Sequence, residues 1–196
     1  MKHLKTALTH YPVADSIKNR WSPRSFSGEP ITNDNLNTIL EAATWSFSAI
    51  NEQPWRYVAA QKGTPLFDQL FDTLAAGNKP WNKQASAFVV SLAKTTFADG
   101  ITPNGSAQHD VGAANMLLTL QANSMDIYTH LMGGFDRAKV AALLQLEADI
   151  VPVVIIALGY ADEAEKLEEP FKTRELTPRI RKPLSEIIRQ TAHSKN

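Results

Sequence analysis

Two pieces of one stretch, Arg20-Trp21-Ser22-Pro23-Arg24-Ser25-Phe26 and Ser46-Phe47-Ser48-Ala49-Ile50-Asn51-Glu52-Gln53-Pro54-Trp55, decide how the rest of the chain is read. The first sets two arginines and two serines at tight spacing. Guanidinium groups are planar, permanently charged forks, so this piece suits a phosphate or another anion. The second is a polar turn of small residues and amides, closed by Pro54 and Trp55. Between them Thr32 reads as a helix N-cap, followed by Leu36, Ile39, Leu40 and Ala43 at i, i+3, i+4, i+7 spacing. That helix should run to about Trp45 and deliver the turn at its end. Pro23 disfavours helix at Ser22 and turns Arg24-Ser25-Phe26 into an extended segment.

Working outward, residues 13–20 read as a short helix, with Asp15 or Ser16 as N-cap before Ile17. Trp55 to Ala60 has the aromatic and β-branched content of a strand. Thr64-Pro65 opens a helix with Leu66, Phe67, Leu70, Phe71 and Leu74 on its apolar face, broken by Gly77 to Trp81. Ala87 to Ala93 is short and nearly all apolar, as a buried strand should be. Asp99-Gly100 and Pro103-Asn104-Gly105 mark a loop. The longest helix is expected from about Gln108 to Asn123, with alanines that permit close packing. An apolar segment at Ile127–Met132 leads to Gly133-Gly134-Phe135, and Asp136 caps a helix ending near Leu146. Val151 to Leu158 is the clearest strand.

The last stretch changes character. Asp162 to Glu169 holds five acids against one lysine, and Pro170, Pro178 and Pro183 then interrupt the basic set Arg174, Arg179, Arg181 and Lys182. Such a segment cannot bury a core of its own. It reads as a disordered tail or as an arm lying on something else.

The 196 residues suit one domain, with residues from about 162 to 196 as an extended arm. Lys plus Arg and Asp plus Glu each total 20, which argues against nucleic-acid binding and a membrane-surface role. With no cysteine, disulfides, thiolate catalysis and iron–sulfur chemistry are excluded. No apolar run follows the N-terminus and none is long enough to span a bilayer, so the expected location is the cytoplasm. The five histidines show no metal-ligand spacing, and there is no GxSxG elbow, Walker loop or GxGxxG turn. Taken singly, each arginine reads as a surface residue, Asn51 and Gln53 as loop amides capping their own backbone or touching a ligand, and Gly133-Gly134 as a tight turn. His109 and His130 read as structural. No side chain looks like an activated acid, base or nucleophile, which points to a cofactor as the carrier of chemistry.

In this order, the motifs resemble those of the nitroreductase family from Asp15 to Pro183. Arg20-Trp21-Ser22-x-Arg24 is similar to its opening motif, which implies that Arg20 and Ser22 hold the phosphate and ribityl chain of FMN while Arg24 lies near flavin N1 and O2. Ser46 to Trp55 resembles the turn that reaches the flavin from the partner subunit, through Phe47, Ser48, Ala49 and Asn51. Asn78 is similar to the family's flavin-contacting asparagine. Met132, Gly133 and Gly134 look like the segment whose backbone amide points at N5. Arg179 and Arg181 resemble the C-terminal basic pair completing the phosphate site. The resemblance implies an α+β fold with a central, mostly antiparallel sheet flanked by helices. It also implies an interlocked homodimer with an embracing C-terminal arm and FMN at the interface. The implied reaction is ping-pong transfer from NADH or NADPH, through flavin N5, to a nitroaromatic, quinone or other electron-poor acceptor.

Departures from the family pattern fall at Ala49, where a second serine is common, at Met125-Asp126-Ile127 in place of a glycine-containing turn, at Gly133, where some members carry an acid, and at Trp81, where a phosphate-side lysine can stand. An FMN-binding storage or sensor protein without turnover, and an interaction domain without cofactor, are the competing readings.

Overall fold

In the computed structural model, which describes residues 2–189, the Thr32 hydroxyl accepts from Asn35 N at 3.2 Å and starts the helix Asn33–Thr44. Leu36, Ile39 and Ala43 turn inward along it, as their spacing requires. Two short helices precede it, α1 (Lys2–Lys5) and α2 (Asp15–Asn19), so Asn33–Thr44 is α3. The N-cap of α2 is Ala14, with no side-chain cap, rather than Asp15 or Ser16. Asp15 instead pairs with Lys18 at 2.6 Å.

The remaining elements are β1 (Trp55–Gln61), α4 (Pro65–Thr73), α5 (Lys79–Asn82), β2 (Ala87–Lys94), α6 (Ala107–Ser124), β3 (Ile127–Met132), α7 (Arg137–Leu143), β4 (Ile150–Tyr160), α8 (Phe171–Leu176) and α9 (Leu184–Ile187). Asp136 caps α7 by accepting from Lys139 N. That helix closes earlier than its apolar run suggests. Gln145 adopts φ 50°, and the bonds Gln145 N→Ala142 O and Leu146 N→Ala141 O fold the last turn back in a Schellman arrangement.

The four strands form one sheet in the order β1-β2-β4-β3, every pairing antiparallel. The central strands β2 and β4 are nearly continuous in apolar residues because both faces are covered. One face packs Phe88, Val90, Ile155 and Ala157 against Phe67 and Leu70 of α4 and Val140 of α7. The other packs Val89, Ile156 and Leu158 against Ile39 of α3 and Val111, Ala114 and Leu118 of α6. Gly159 is required where it stands, since a Cβ there would lie 2.7 Å from the Phe26 ring. The α+β architecture with a central antiparallel sheet is thus the one expected.

The C-terminal stretch lies on its own chain over residues 162–179. Leu167 and Phe171 pack against the core cluster, and Glu175 is fully buried. Residues 190–196 of the expected arm, His193 among them, lie outside the described residues. No described helix is long and apolar enough to cross a membrane, and no group of three or more described His, Asp or Glu could hold a metal.

Candidate functional site

After α2 the chain runs across the β3 edge of the sheet. His130 of β3 donates from Nδ1 to the Pro23 carbonyl at 2.8 Å, and Trp21 meets the Tyr128 ring edge-on at 6.0 Å. From the other side, Glu175 Oε1 accepts from Arg24 N at 2.8 Å and Ser25 N at 3.1 Å. Phe26 then bridges to Ala161. Pinned along its length, this loop turns its charged side chains into a cavity of about 370 Å³.

Six cationic residues line that cavity: Lys5, Arg20, Arg24, Arg174, Arg179 and Arg181, with Trp21 and Ser22 in the wall. Among the described residues no carboxylate comes within ion-pairing distance of any of them. Arg179 donates to the carbonyls of Lys5 (2.9 Å) and Lys18 (2.8 Å), tying the arm to both N-terminal helices. Arg20 reaches the Ser22 hydroxyl at 3.5 Å. Burial, followed by repulsion from Arg181, lowers the pKa of Arg20, and burial with Arg20 and Arg181 does the same for Arg179. The indole Nε1 of Trp21 is buried with no acceptor. The cavity therefore has a surplus of donors and positive charge, the complement of an oxyanion.

The cavity continues into a second group of residues through Arg24, whose guanidinium lies 5.8 Å over the Trp81 ring. The Trp81 ring lies 4.4 Å from that of His130, the two planes tilted by 40°. Burial foremost, with the charge of Arg24 adding, holds His130 down to about 4, so the ring is neutral near pH 7. From α5, the Asn78 amide donates to Gly134 O at 3.0 Å, joined there by Ala75 N. A Cβ on Gly134 would come 3.1 Å from Asn78 Nδ2 and push it away. Gly133 faces open space, and Met132 is buried beside Asn82 Nδ2, 3.0 Å from its sulfur.

Phe47, Ser48, Ala49 and Asn51 are elsewhere. Their turn leaves α3 and enters β1, on the opposite edge of the sheet from β3. Two strands intervene, which separates the edges by roughly 14 Å. The turn is strained, with φ 54° at Ile50, 57° at Asn51 and 48° at Gln53. Asn tolerates this region, but a β-branched residue does not. The conformation is held by Asp110 in the first turn of α6, whose Oδ2 accepts from Ala49 N at 2.9 Å, and by Ser48 Oγ, which accepts from Gln53 N. His109 Nδ1 lies 2.9 Å from the other Asp110 oxygen. Trp45 (80% exposed), Phe47 (69%) and Ile50 (83%) give the turn an apolar rim that the chain itself leaves uncovered.

Asp110→Ala removes a charged acceptor from a strained turn. It should destabilise the protein by about 2 kcal/mol in urea denaturation and speed hydrogen exchange at the Ala49 amide. Unchanged exchange there would show that the turn holds its shape without Asp110.

The sequence-predicted residues thus fall into two sets. Arg20, Trp21, Ser22, Arg24, Arg179 and Arg181 share one cavity, and Asn78, Met132, Gly133 and Gly134 adjoin it through Trp81. The turn residues are not brought to them within one chain. Lys5, Arg174, Glu175, His130 and Asp110 belong to these sites and were not singled out for them, because nothing local in the sequence marks a residue whose role is to meet a distant segment.

The family model described as the Nitroreductase family matches residues 17–88 and 67–160. The chain belongs to the nitroreductase family. Both half-sites begin within the matched residues, while Lys5 and the arm with Arg174 to Arg181 lie beyond them. Among curated relatives of this nitroreductase-family chain is a Streptococcus pyogenes protein provisionally named an NAD(P)H nitroreductase, 24% identical over 87% of this chain and 95% of its own. A solved structure of an oxidoreductase containing FMN superposes with a TM-score of 0.90 at 30% identity, covering 96% of each chain. A nitroreductase family protein from Streptococcus pneumoniae shares the fold, with a TM-score of 0.72 at 22% identity over 90% of this chain and 98% of its own.

Proposed function

We propose that the protein is an FMN-dependent NAD(P)H oxidoreductase acting as a homodimer. The observation that carries this reading is the cavity of six cations, none paired with a carboxylate among the described residues, which shares Arg24 with a neighbouring pocket walled by Trp81. The residues fit the cofactor. Arg20, Ser22, Arg179 and Arg181 would take its phosphate, and Arg24 with Asn78 and Gly133 would flank the ring system. Two similar features in relatives support it, an FMN in one solved structure and an NAD(P)H-dependent name for one curated protein.

Bound FMN would supply two-electron redox chemistry between NADH or NADPH and an electron-poor acceptor such as a nitroaromatic or quinone, in ping-pong order. The chain's part is electrostatic and geometric. Arg24 holds a fixed positive charge where negative charge grows on reduction, and it is pre-oriented by Trp81 and by its own pinned backbone. His130, neutral, supports Trp81 without adding charge. The homodimer supplies what one chain lacks: the Phe47–Asn51 turn of one subunit, with its apolar rim, would complete the cation cavity of the other.

Purified protein should be yellow, and anaerobic NADH or NADPH should bleach it, with an added quinone or nitroaromatic restoring the colour. Yellow protein that no nicotinamide bleaches would identify an FMN store or sensor instead, and colourless protein that takes up no FMN would overturn the cofactor reading. Arg24→Ala should slow anaerobic bleaching by about tenfold to a hundredfold and lower the flavin midpoint potential by roughly 30 mV or more. An unchanged rate and potential would remove Arg24 from this role.

A further inference from the structure

Glu175, on α8, reaches the cation loop from inside the protein. None of its surface is exposed. Oε1 accepts from two successive amides, Arg24 N and Ser25 N, which fixes the peptide planes on both sides of the Arg24 Cα. Pro23, just before, has no amide hydrogen to offer and is held through its carbonyl by His130. Arg24 is therefore left with side-chain freedom only. The second oxygen, Oε2, is buried and has no partner.

The charged groups facing this carboxyl come from two elements. They are Arg24 on the loop and Lys5 on α1, with Arg174 of α8 acting on Arg24 and Arg179 on Lys5 one step further out. None forms an ion pair with Glu175. Lys5 instead donates to the carbonyls of Arg174 (3.2 Å) and Thr177 (2.6 Å), and its ammonium lies 5.2 Å over Trp21. Lys5 thus holds the arm segment through its carbonyls, and Glu175, within that segment, holds the loop through its amides.

We propose that Glu175 is a positioning residue of the flavin site: it locks the Arg24 backbone from within the arm, and its charge state sets how much of the Arg24 charge faces the cofactor. The flavin part of this rests on the function proposed above. A neutral strut would serve the backbone equally well. Only an ionisable one couples the arm to the electrostatics of the cavity.

Burial first of all pushes the Glu175 carboxyl above its ordinary value of 4.5, against the two amide bonds and the nearby cations. Between 4.5 and the raised value the folded protein keeps a proton that the unfolded chain has lost. The stabilising contribution is complete below 4.5 and disappears as pH rises through the raised value.

The test compares wild type with Glu175→Gln and Glu175→Ala in three measurements: affinity of apoprotein for FMN and for inorganic phosphate, flavin midpoint potential against pH, and apoprotein urea denaturation against pH. Glu175→Ala should weaken both ligands by about tenfold or more. Glu175→Gln, whose amide oxygen can accept the same two N–H groups, should retain most of the affinity. Its potential should exceed that of wild type by a gap that widens with pH, and its apoprotein should gain stability over wild type as pH rises. Wild-type affinity in Glu175→Ala, or a potential gap that is flat with pH, would overturn the proposal. If Glu175→Ala does not fold, the wild-type and Gln comparison decides alone. If no form takes up FMN, the cofactor reading fails separately, and unchanged phosphate affinity and a flat stability gap would then sink the positioning role as well.

Discussion

Arg20→Ala is expected to weaken FMN binding by about tenfold to a hundredfold while leaving the apoprotein as stable as wild type or more so. The two effects have opposite signs for one reason. Arg20 is half-buried near Arg179 and Arg181, with no carboxylate paired to it, so in the empty cavity its charge is a liability. A phosphate converts that liability into charge-assisted hydrogen bonds, each contributing about 1.5–3 kcal/mol, and about 1.4 kcal/mol corresponds to a tenfold change in affinity. Calorimetric titration of apoprotein with FMN and urea denaturation of the same preparation measure the two sides. The affinity loss should shrink in high salt, where exposed parts of the cavity are screened. An apoprotein destabilised by the substitution would show that Arg20 is a structural residue with a partner of its own.

Phe88→Ala should have the largest effect on stability, about 3–5 kcal/mol, because it opens a void where collapse is hardest. Phe88 sits on the central strand β2 with no exposed surface, and its ring stacks on Phe67 of α4 at 4.3 Å, with planes 8° apart. Neighbours on both flanking strands are hydrogen-bonded in register, so the sheet cannot close over the gap. In a chain of this size the loss should lower Tm by about 10 °C. A shift of only a degree or two would mean that α4 moves in to fill the space.

Much of the fold could be read in advance because it depends on local chemistry. The Thr32 hydroxyl, the four apolar positions of α3, Pro65 at the start of α4 and the unbroken apolar runs of β2 and β4 each specify an element through their own neighbours. The arginines of the cation cavity were visible for a related reason, since a guanidinium advertises its chemistry wherever it lies. Boundaries were less legible. α7 ends where Gln145 takes a left-handed conformation, which a glutamine gives no sign of doing. The arm was the least legible part. Its acids and prolines suggest a solvated segment, and yet one of its glutamates is among the most deeply buried residues. Burial of a charge is decided by what folds over it, here the Arg24–Ser25 amides and Lys5, and those lie more than a hundred residues away in sequence. Asp110 is likewise buried against a distant partner, Ala49 of the turn it stiffens, 61 residues away.

The placement of the two half-sites on opposite edges of one sheet has a consequence for how damage would be inherited by the assembly. In the proposed dimer each active centre draws its cations from one chain and its turn from the other. A chain defective at Arg20 and a chain defective at the turn, paired together, would make one centre carrying both defects and one carrying neither. Genetic lesions in this protein would therefore sort by sheet edge, with edges complementing each other between chains, and the sound centre of such a mixed pair would owe its existence to two faulty copies.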